Sequence, residues 1–587
     1  MRAPLALTGT SLATRHSPRA TFFYLCSSVF ICVSLFSPSA AATIRYTISL
    51  EQPDQHLFRV TMTVPEVRES LTVAMPAWNA LYQIRDFSHR VGEVRAVDAA
   101  GSALPIAKLD KQTWRLSASG NVTLTYSIFW DEPGPFASQL NSSHAFLNLA
   151  TLLFYIPDRR AEDVSIAFPG VPAAWRIAVA LKPSSNASSS FVAATYDALV
   201  DAPVEIGPFT EFRLDSLTPP VRVVVHGENF DRSALADALH RIVVYQTGLM
   251  GGSPYDEFLF IYHYGPSALV GGGGMEHSNS TAISSHTLPA AISVGAHEFF
   301  HLWNVKRLRP ASLEPVDYSH EQFTRSLWFA EGVTSAYGSY TLVRTGLWTP
   351  RQFYDDLAGE ITALESRPAR TWQSVEQASL DAWLEKNPLY GRPEFSISYY
   401  NKGQILGVLL DILLRDLSDN RASLDDVLRY LNDNFARRNR PYGDTDDILA
   451  ASRAVLTHVL RAHLAASSRD VILRPRLGRG RRISATNSIS NISLFEISNL
   501  KFEISASPDP LFTLDSFFAR YVSGTDPLDY ATYLSKAGLK LTPRARPTPK
   551  SSTQPLVYDI AELPNPTDRQ RRIRDGLLRG TFDSGRP

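Results

Sequence analysis

Cysteine is almost missing from this chain. Its 587 residues hold two, Cys26 and Cys32, and both fall within the first 42. A chain cut after that stretch would have no disulfide to staple it, so its cores alone must hold it together. That suits a bacterial periplasm better than a disulfide-rich extracellular setting. Neither cysteine sits in a lipobox. Net charge is missing too: Lys+Arg and Asp+Glu both number 58. No net field draws in nucleic acid or an anionic membrane, and no long basic run with interleaved aromatics appears in mid-chain. No internal repeat is visible. The apolar run FFYLCSSVFICVSLF, residues 22–36, is short of the about 20 residues that a membrane span needs.

What is there begins with that run. Arg2, Arg15 and Arg19 precede it and SPSAAA follows, with small residues for cleavage near Ala40–Ala42. This is the pattern of a secretory signal over residues 1–42. It predicts an exported protein, periplasmic or secreted, with no stable membrane span once the signal is removed; a retained anchor is the alternative. At 44% hydrophobic and 20% charged residues the rest reads as ordinary soluble protein. Its length is too great for one core and suggests three or four domains.

Residues 43–215 are strand-like. IRYTISL, FRVTMTV, SLTVAM, VTLTYSIFW, VSIAF and RIAVAL alternate or run apolar between Pro, Gly and Asn, which predicts an all-β domain of sandwich or saddle type. Near 230 the text changes. ALADALHRIVVYQTGLMG is helical, EFLFIYHYG a strand, and GGGGMEHSNST a strand or loop. From 288 to 440 the pattern is mostly helical, with EQFTRSLWFAEGVTSAYGSYTLV among the helices. Residues 216–345 and 346–542 are expected as a mixed α/β domain and a helical C-terminal domain. Residues 451–508, repetitive and partly basic, read as an atypical insertion, and 543–587 as a disordered Pro- and Arg-rich tail with no room for a further domain. The fold class is multidomain α+β.

The chemistry centres on AHEFFHLWNVK, residues 296–306. On a helix, positions four apart share a face, so His297 and His301 can present two imidazoles to one metal. Glu298 is rotated off that face but stays close enough to hold and deprotonate a metal-activated water. Two histidines and a glutamate among Phe299, Phe300, Leu302 and Trp303 need partners, and a metal provides them. Zinc needs a third protein ligand. The HExxHxxGxxH pattern is excluded, because Asn304 and Arg307 stand at its last two positions. Glu321, twenty residues past His301, lies in SHEQ, where Ser319 and Gln322 suggest a capping box and a first-turn role. Glu331 lies among Trp328, Phe329, Ala330 and Val333, and a carboxylate there needs a cation. Glu331 is the favoured ligand.

HEFFHLWNVKRLRP, WFAEGVTSAY, GGGGMEH and YYNKG together resemble the glycyl aminopeptidase family of zinc metallopeptidases, related to the aminopeptidase N superfamily. MPAWNALYQIRDFSHRV, from residue 75, is similar to that family's N-terminal β-domain. The resemblance covers about 43–450 and returns at about 511–541. It implies a thermolysin-like catalytic domain holding one catalytic Zn2+ through His297, His301 and Glu331. It implies Glu298 as general base, Glu276 as the group that grips a substrate's free α-amino group, and Tyr400 as the donor to the tetrahedral intermediate. Spacing alone does not separate Tyr400 from Tyr399 for that last role. Asn304, Lys306 and Arg309 read as a structural polar network, with contact to the substrate as the alternative. No C-terminal PDZ domain, common in the family, is expected here.

The reading is an exported zinc aminopeptidase that removes small N-terminal residues, glycine or alanine, from peptides with a free N-terminus. Two alternatives stay open: a zinc endopeptidase of the same fold, and a catalytically impaired protein that binds zinc and peptide. The oligomeric state is not legible.

Overall fold

A computed structural model describes residues 43–79, 82–184, 189–473, 510–545 and 556–580. The signal segment and most of the atypical insertion lie outside them. The N-terminal region is β-rich, as its alternation requires. Its largest sheet has eight strands, in the order Lys182–Pro183, Ser190–Ala193, Val164–Ala167, Ile44–Ser49, Leu57–Val67, Gly120–Phe129, Val91–Val97, Ala103–Leu104. The inward residues of the two long central strands face each other in register: Phe58 with Ile128, Val60 with Tyr126, Met62 with Leu124. All six are buried, so the period-2 pattern of the sequence becomes one face of a core.

The expected boundary at 215 falls earlier. Strand Thr210–Arg213 pairs with Val221–Gly227, Thr210 opposite Val225 and Phe212 opposite Val223. It is the edge of a five-stranded sheet that continues through Phe258–Tyr264 and Ser280–Ser285 to Gly273–Glu276. The middle three strands run parallel and read as nearly continuous apolar runs because both faces are covered.

Helices Arg232–Leu249 and Leu288–Phe300 cover this sheet. Behind them lie Thr334–Arg344, Pro350–Glu365, Tyr399–Leu417 and Leu424–Asn434. Sheet and helices share one hydrophobic core that runs from Phe212 to Leu577. The expected division near 345 is therefore a change of element type, not a packing boundary. The described residues form two large cores, with a small one between them.

Two further expectations are corrected. The helix expected from Glu321 begins only at Leu327: residues 317–325 are irregular, held by the Asp317 carboxylate accepting from Ser319 N (2.8 Å) and by Gln322 Oε1 accepting from Asp317 N (2.9 Å). The tail expected to be disordered carries strand Leu556–Glu562, paired with Leu539–Ala545, and helix Asp568–Arg579. That helix is too charged to read as a core element, yet it buries Ile573 and Leu577. It also caps a buried ion network: Arg344 Nε donates to the Leu577 carbonyl (2.9 Å) and Arg344 Nη1 pairs with Asp425 (2.9 Å). Of the atypical insertion, residues 451–473 continue helix Asp444–Leu473; the rest lies outside the described residues. No helix among them is long and apolar enough to cross a membrane.

Candidate active site

Helix Leu288–Phe300 starts where Thr287 accepts a hydrogen bond from Ala290 N, with Pro289 in the first turn. Its other end brings His297 and His301 onto one face, with their Nε2 atoms 3.0 Å apart. Glu331 reaches the same point from the neighbouring turn: its Oε2 lies 3.2 Å from His301 Nε2 and 3.6 Å from His297 Nε2. Donors about 2.0–2.2 Å from one tetrahedral metal would lie roughly 3.3–3.5 Å apart, so the three side chains fit such an ion. The tautomer fits as well. His301 Nδ1 donates to the Asn304 carbonyl at 2.6 Å, so Nε2 is the ring nitrogen left for a metal.

Glu331 sits in a π-helical turn, Trp328–Val333, a wider turn often found at functional sites. Asn304 ties this turn to the His301 end: its Nδ2 donates to the carbonyls of Phe329 (2.8 Å) and Ala330 (3.4 Å) and to Thr334 Oγ1 (3.1 Å). Glu321 is exposed and takes no part.

Glu298 is 7% exposed and lies against the glycine-rich strand. A Cβ on Gly274 would meet Glu298 Oε1 at 2.4 Å, so only glycine fits there. Glu276, two residues on, forms a group with Glu298 and His301 whose ligand atoms all lie within 4.8 Å of one another. Burial, then Glu276 and Glu331, push the Glu298 carboxyl well above the usual range, against the pull of His301. Burial opposes a charge on His301, but Glu331 beside it prevails and lifts the imidazole to about 10. Glu331 is held down in turn: His301 and His297 outweigh its burial.

Tyr400 is the tyrosine that faces the cavity, its ring 6.3 Å from that of His297. Tyr399 is 2% exposed and belongs to the core. Burial keeps the Tyr400 phenol well above its ordinary pKa. The six side chains singled out from the sequence thus meet at one cavity of about 400 Å³.

Sequence reasoning missed the wall opposite. Trp78, Tyr82, Phe136, Asn148 and Asp201 of the N-terminal region line the same cavity. Asp201 pairs with Lys306 Nζ (2.7 Å) and with His277 Nδ1 (3.2 Å), and accepts from Ser278 N (2.9 Å). So Lys306 fastens the motif helix to the β-rich region, and Arg309 pairs with Glu314. Asn304, Lys306 and Arg309 thus have structural partners, and Lys306 and Arg309 also line the cavity.

An HExxH helix with a glutamate from the next turn, beside a glycine-rich edge strand, defines a metallopeptidase. Known proteins place it further. Residues 45–208 match the model of the peptidase M61 N-terminal domain, and residues 290–406 match that of the M61 glycyl aminopeptidases. The two matches, in this order along the chain, are both to models of the M61 glycyl aminopeptidase family. Glu276 lies between the matched segments. The chain is similar to an aminopeptidase N family protein from Idiomarina loihiensis, with 23% identity, a TM-score of 0.71, and coverage of 87% of this chain and 82% of that one; at that identity the likeness is one of fold. It is more loosely similar to an M1 zinc metallopeptidase from Deinococcus radiodurans, with 15% identity, a TM-score of 0.42, and coverage of 71% of this chain and 92% of that one. None of the curated proteins matches the chain.

Proposed function

We propose that this metallopeptidase is an exported zinc aminopeptidase that releases small first residues, glycine or alanine, from peptides. One observation carries the reading: Glu276 sits beside Glu298 and His301 on the cavity that holds the His297–His301–Glu331 cluster. An enzyme that counts from the N-terminus needs a carboxylate near its metal to hold the cationic amine. The preference for small residues rests on the family's description. Export rests on the composition of residues 1–42 and on the absence of cysteine after Cys32.

His297, His301 and Glu331 would hold the zinc, with His301 fixed by the Asn304 carbonyl. Bound zinc polarises the scissile carbonyl and makes water acidic enough to lose a proton near neutral pH. Glu298 takes that proton and delivers it to the leaving amine; its burial raises its proton affinity and so favours the taking. Glu276 binds the substrate's ammonium group, which sets the cut after the first residue. Tyr400, kept protonated by burial, donates its hydroxyl proton to the oxygen that turns negative.

Hydrolysis of glycyl- and alanyl-anilides by protein lacking residues 1–42 tests this, with zinc and with a chelator, beside Glu298→Gln. The expected result is chelator-sensitive release, reduced about 100- to 10,000-fold in the variant and absent for N-acetylated substrates. Equal cleavage of the acetylated substrates would make the protein an endopeptidase. No turnover from folded, zinc-loaded protein would make it a binding protein.

A further inference from the structure

A second cluster of metal-type donors lies outside the peptidase cavity. It joins three strands that are far apart in sequence. Glu205, on strand Val204–Gly207, is fully buried. Its Oε1 lies 3.0 Å from His144 Nδ1 and 3.6 Å from His226 Nδ1; its Oε2 lies 2.9 Å from His263 Nε2. His144 precedes strand Ala145–Leu147, which pairs with Val204–Gly207. His226 and His263 face each other on the first two parallel strands of the five-stranded sheet. The His144 and His226 rings stack at 3.8 Å.

The hydrogen bonds around the cluster fix where its protons sit. Gln139 Nε2 donates to Asp131 Oδ1 (3.0 Å), so Gln139 Oε1 is the atom that meets His144 Nε2 at 3.2 Å. That contact requires a proton on His144 Nε2. The His226 ring has the Pro208 backbone as a hydrogen-bond partner, and its buried Nδ1 has none. His226 Nδ1 therefore turns a lone pair toward Glu205 Oε1, and His144 Nδ1, 3.0 Å from the same oxygen, does so as well wherever the His144 ring is neutral. Three facing lone pairs repel unless a cation lies among them. A proton on His144 Nδ1 would satisfy one contact and leave His226 Nδ1 without a partner. A metal satisfies both.

We infer that His144 Nδ1, His226 Nδ1 and Glu205 Oε1 form a second divalent-metal site, of the imidazole–carboxylate kind that zinc occupies. The 3.0 and 3.6 Å separations equal the shortest and longest of the peptidase cluster. His263 steadies the carboxylate through its other oxygen, as an outer partner of a metal ligand does. His144, His226 and His263 line a cavity of about 390 Å³, which shares no lining residue with the peptidase cavity. The site is a clamp. It ties the four-stranded sheet of the N-terminal region to the five-stranded sheet, beside the small core of Phe146, Ala178, Phe209, Val224, Leu259, Ile261 and Ala282. The strand it holds ends at Asn148, which lines the peptidase cavity and donates to Met275 Sδ (3.3 Å), next to Glu276.

Metal counting tests the inference without relying on turnover. Full-length wild type, His226→Ala and His301→Ala are loaded with zinc, passed over a chelating resin, and assayed by atomic emission. Two equivalents in wild type and one in each variant are expected. With cobalt in place of zinc, His301→Ala should keep visible d–d absorption that His226→Ala/His301→Ala loses. One equivalent in wild type and in His226→Ala, with none in His301→Ala, would overturn the second site and leave the peptidase site standing. One in wild type and in His301→Ala, with none in His226→Ala, would do the reverse. If His226→Ala fails to fold, wild type against His301→Ala decides alone: one equivalent against none overturns the clamp.

Discussion

Gly332 and Gly403 touch backbone to backbone. A Cβ on Gly332 would come within 2.4 Å of Gly403 Cα, and one on Gly403 within 2.3 Å of the Trp328 carbonyl oxygen. This crossing presses helix Tyr399–Leu417 onto the turn that carries Glu331, and so sets Tyr400 beside His297. Gly403→Ala should force the two apart. Overpacking of this kind costs about 1–3 kcal/mol, so Tm should fall and anilide hydrolysis should fall more steeply than stability accounts for. A variant with unchanged kcat and Tm would show that the crossing does not position Tyr400.

The Asn304 side chain acts on the turn of Glu331, while its backbone carbonyl, which any residue would supply, meets His301. Asn304→Ala should weaken zinc binding about 10- to 100-fold, read by competition with a chromogenic chelator. Far-UV circular dichroism should stay unchanged. Unaltered zinc affinity would count against its side chain's role in holding the Glu331 turn.

Lys402 is 2% exposed, and burial lowers its pKa to about 8. Below about pH 8 both folded and unfolded chains carry the proton, and folding bears the full cost of the buried charge. Between about 8 and the unfolded value of 10.5 the folded chain loses the proton first, so stability rises with pH. Lys402→Met should therefore stabilise the fold at pH 7 by about 3 kcal/mol, read as a higher Tm, and the gain should shrink as pH approaches 10.5. A gain that is constant from pH 7 to 10 would show that no buried charge was removed.

Deleting residues 568–587 takes out Ile573 and Leu577, two buried aliphatic side chains worth about 1.5–3 kcal/mol each, and the carbonyl that Arg344 Nε meets. The truncated protein should melt several degrees lower and be cut by trypsin at lower temperature. An unchanged melting profile would make the C-terminal helix an ornament of the fold.

The peptidase motif was legible because its logic is local. Two histidines four apart need only one helix, and Glu331 betrayed itself by its apolar neighbours. The choice between Tyr399 and Tyr400 was not local: it depends on how one helix meets another at Gly403. The Glu205 cluster was invisible for a stronger reason. Glu205, His226 and His263 come from separate strands and His144 from the residue before a fourth, and each alone reads as an ordinary strand or loop residue. The C-terminal helix was misread because five arginines and two aspartates in Asp568–Arg579 outweigh its few apolar positions. Composition reports average polarity, whereas a helix needs only one apolar stripe.

Asp201 and Lys306 meet across the peptidase cavity, and Trp78, Tyr82 and Phe136 line it from the same side as Asp201. The chemistry and the shape of the chamber thus come from different stretches of the gene. Recombination that exchanges the first two hundred codons or so between relatives would hand a new chamber to an unchanged reaction centre, provided that the incoming partner keeps an acid for Lys306.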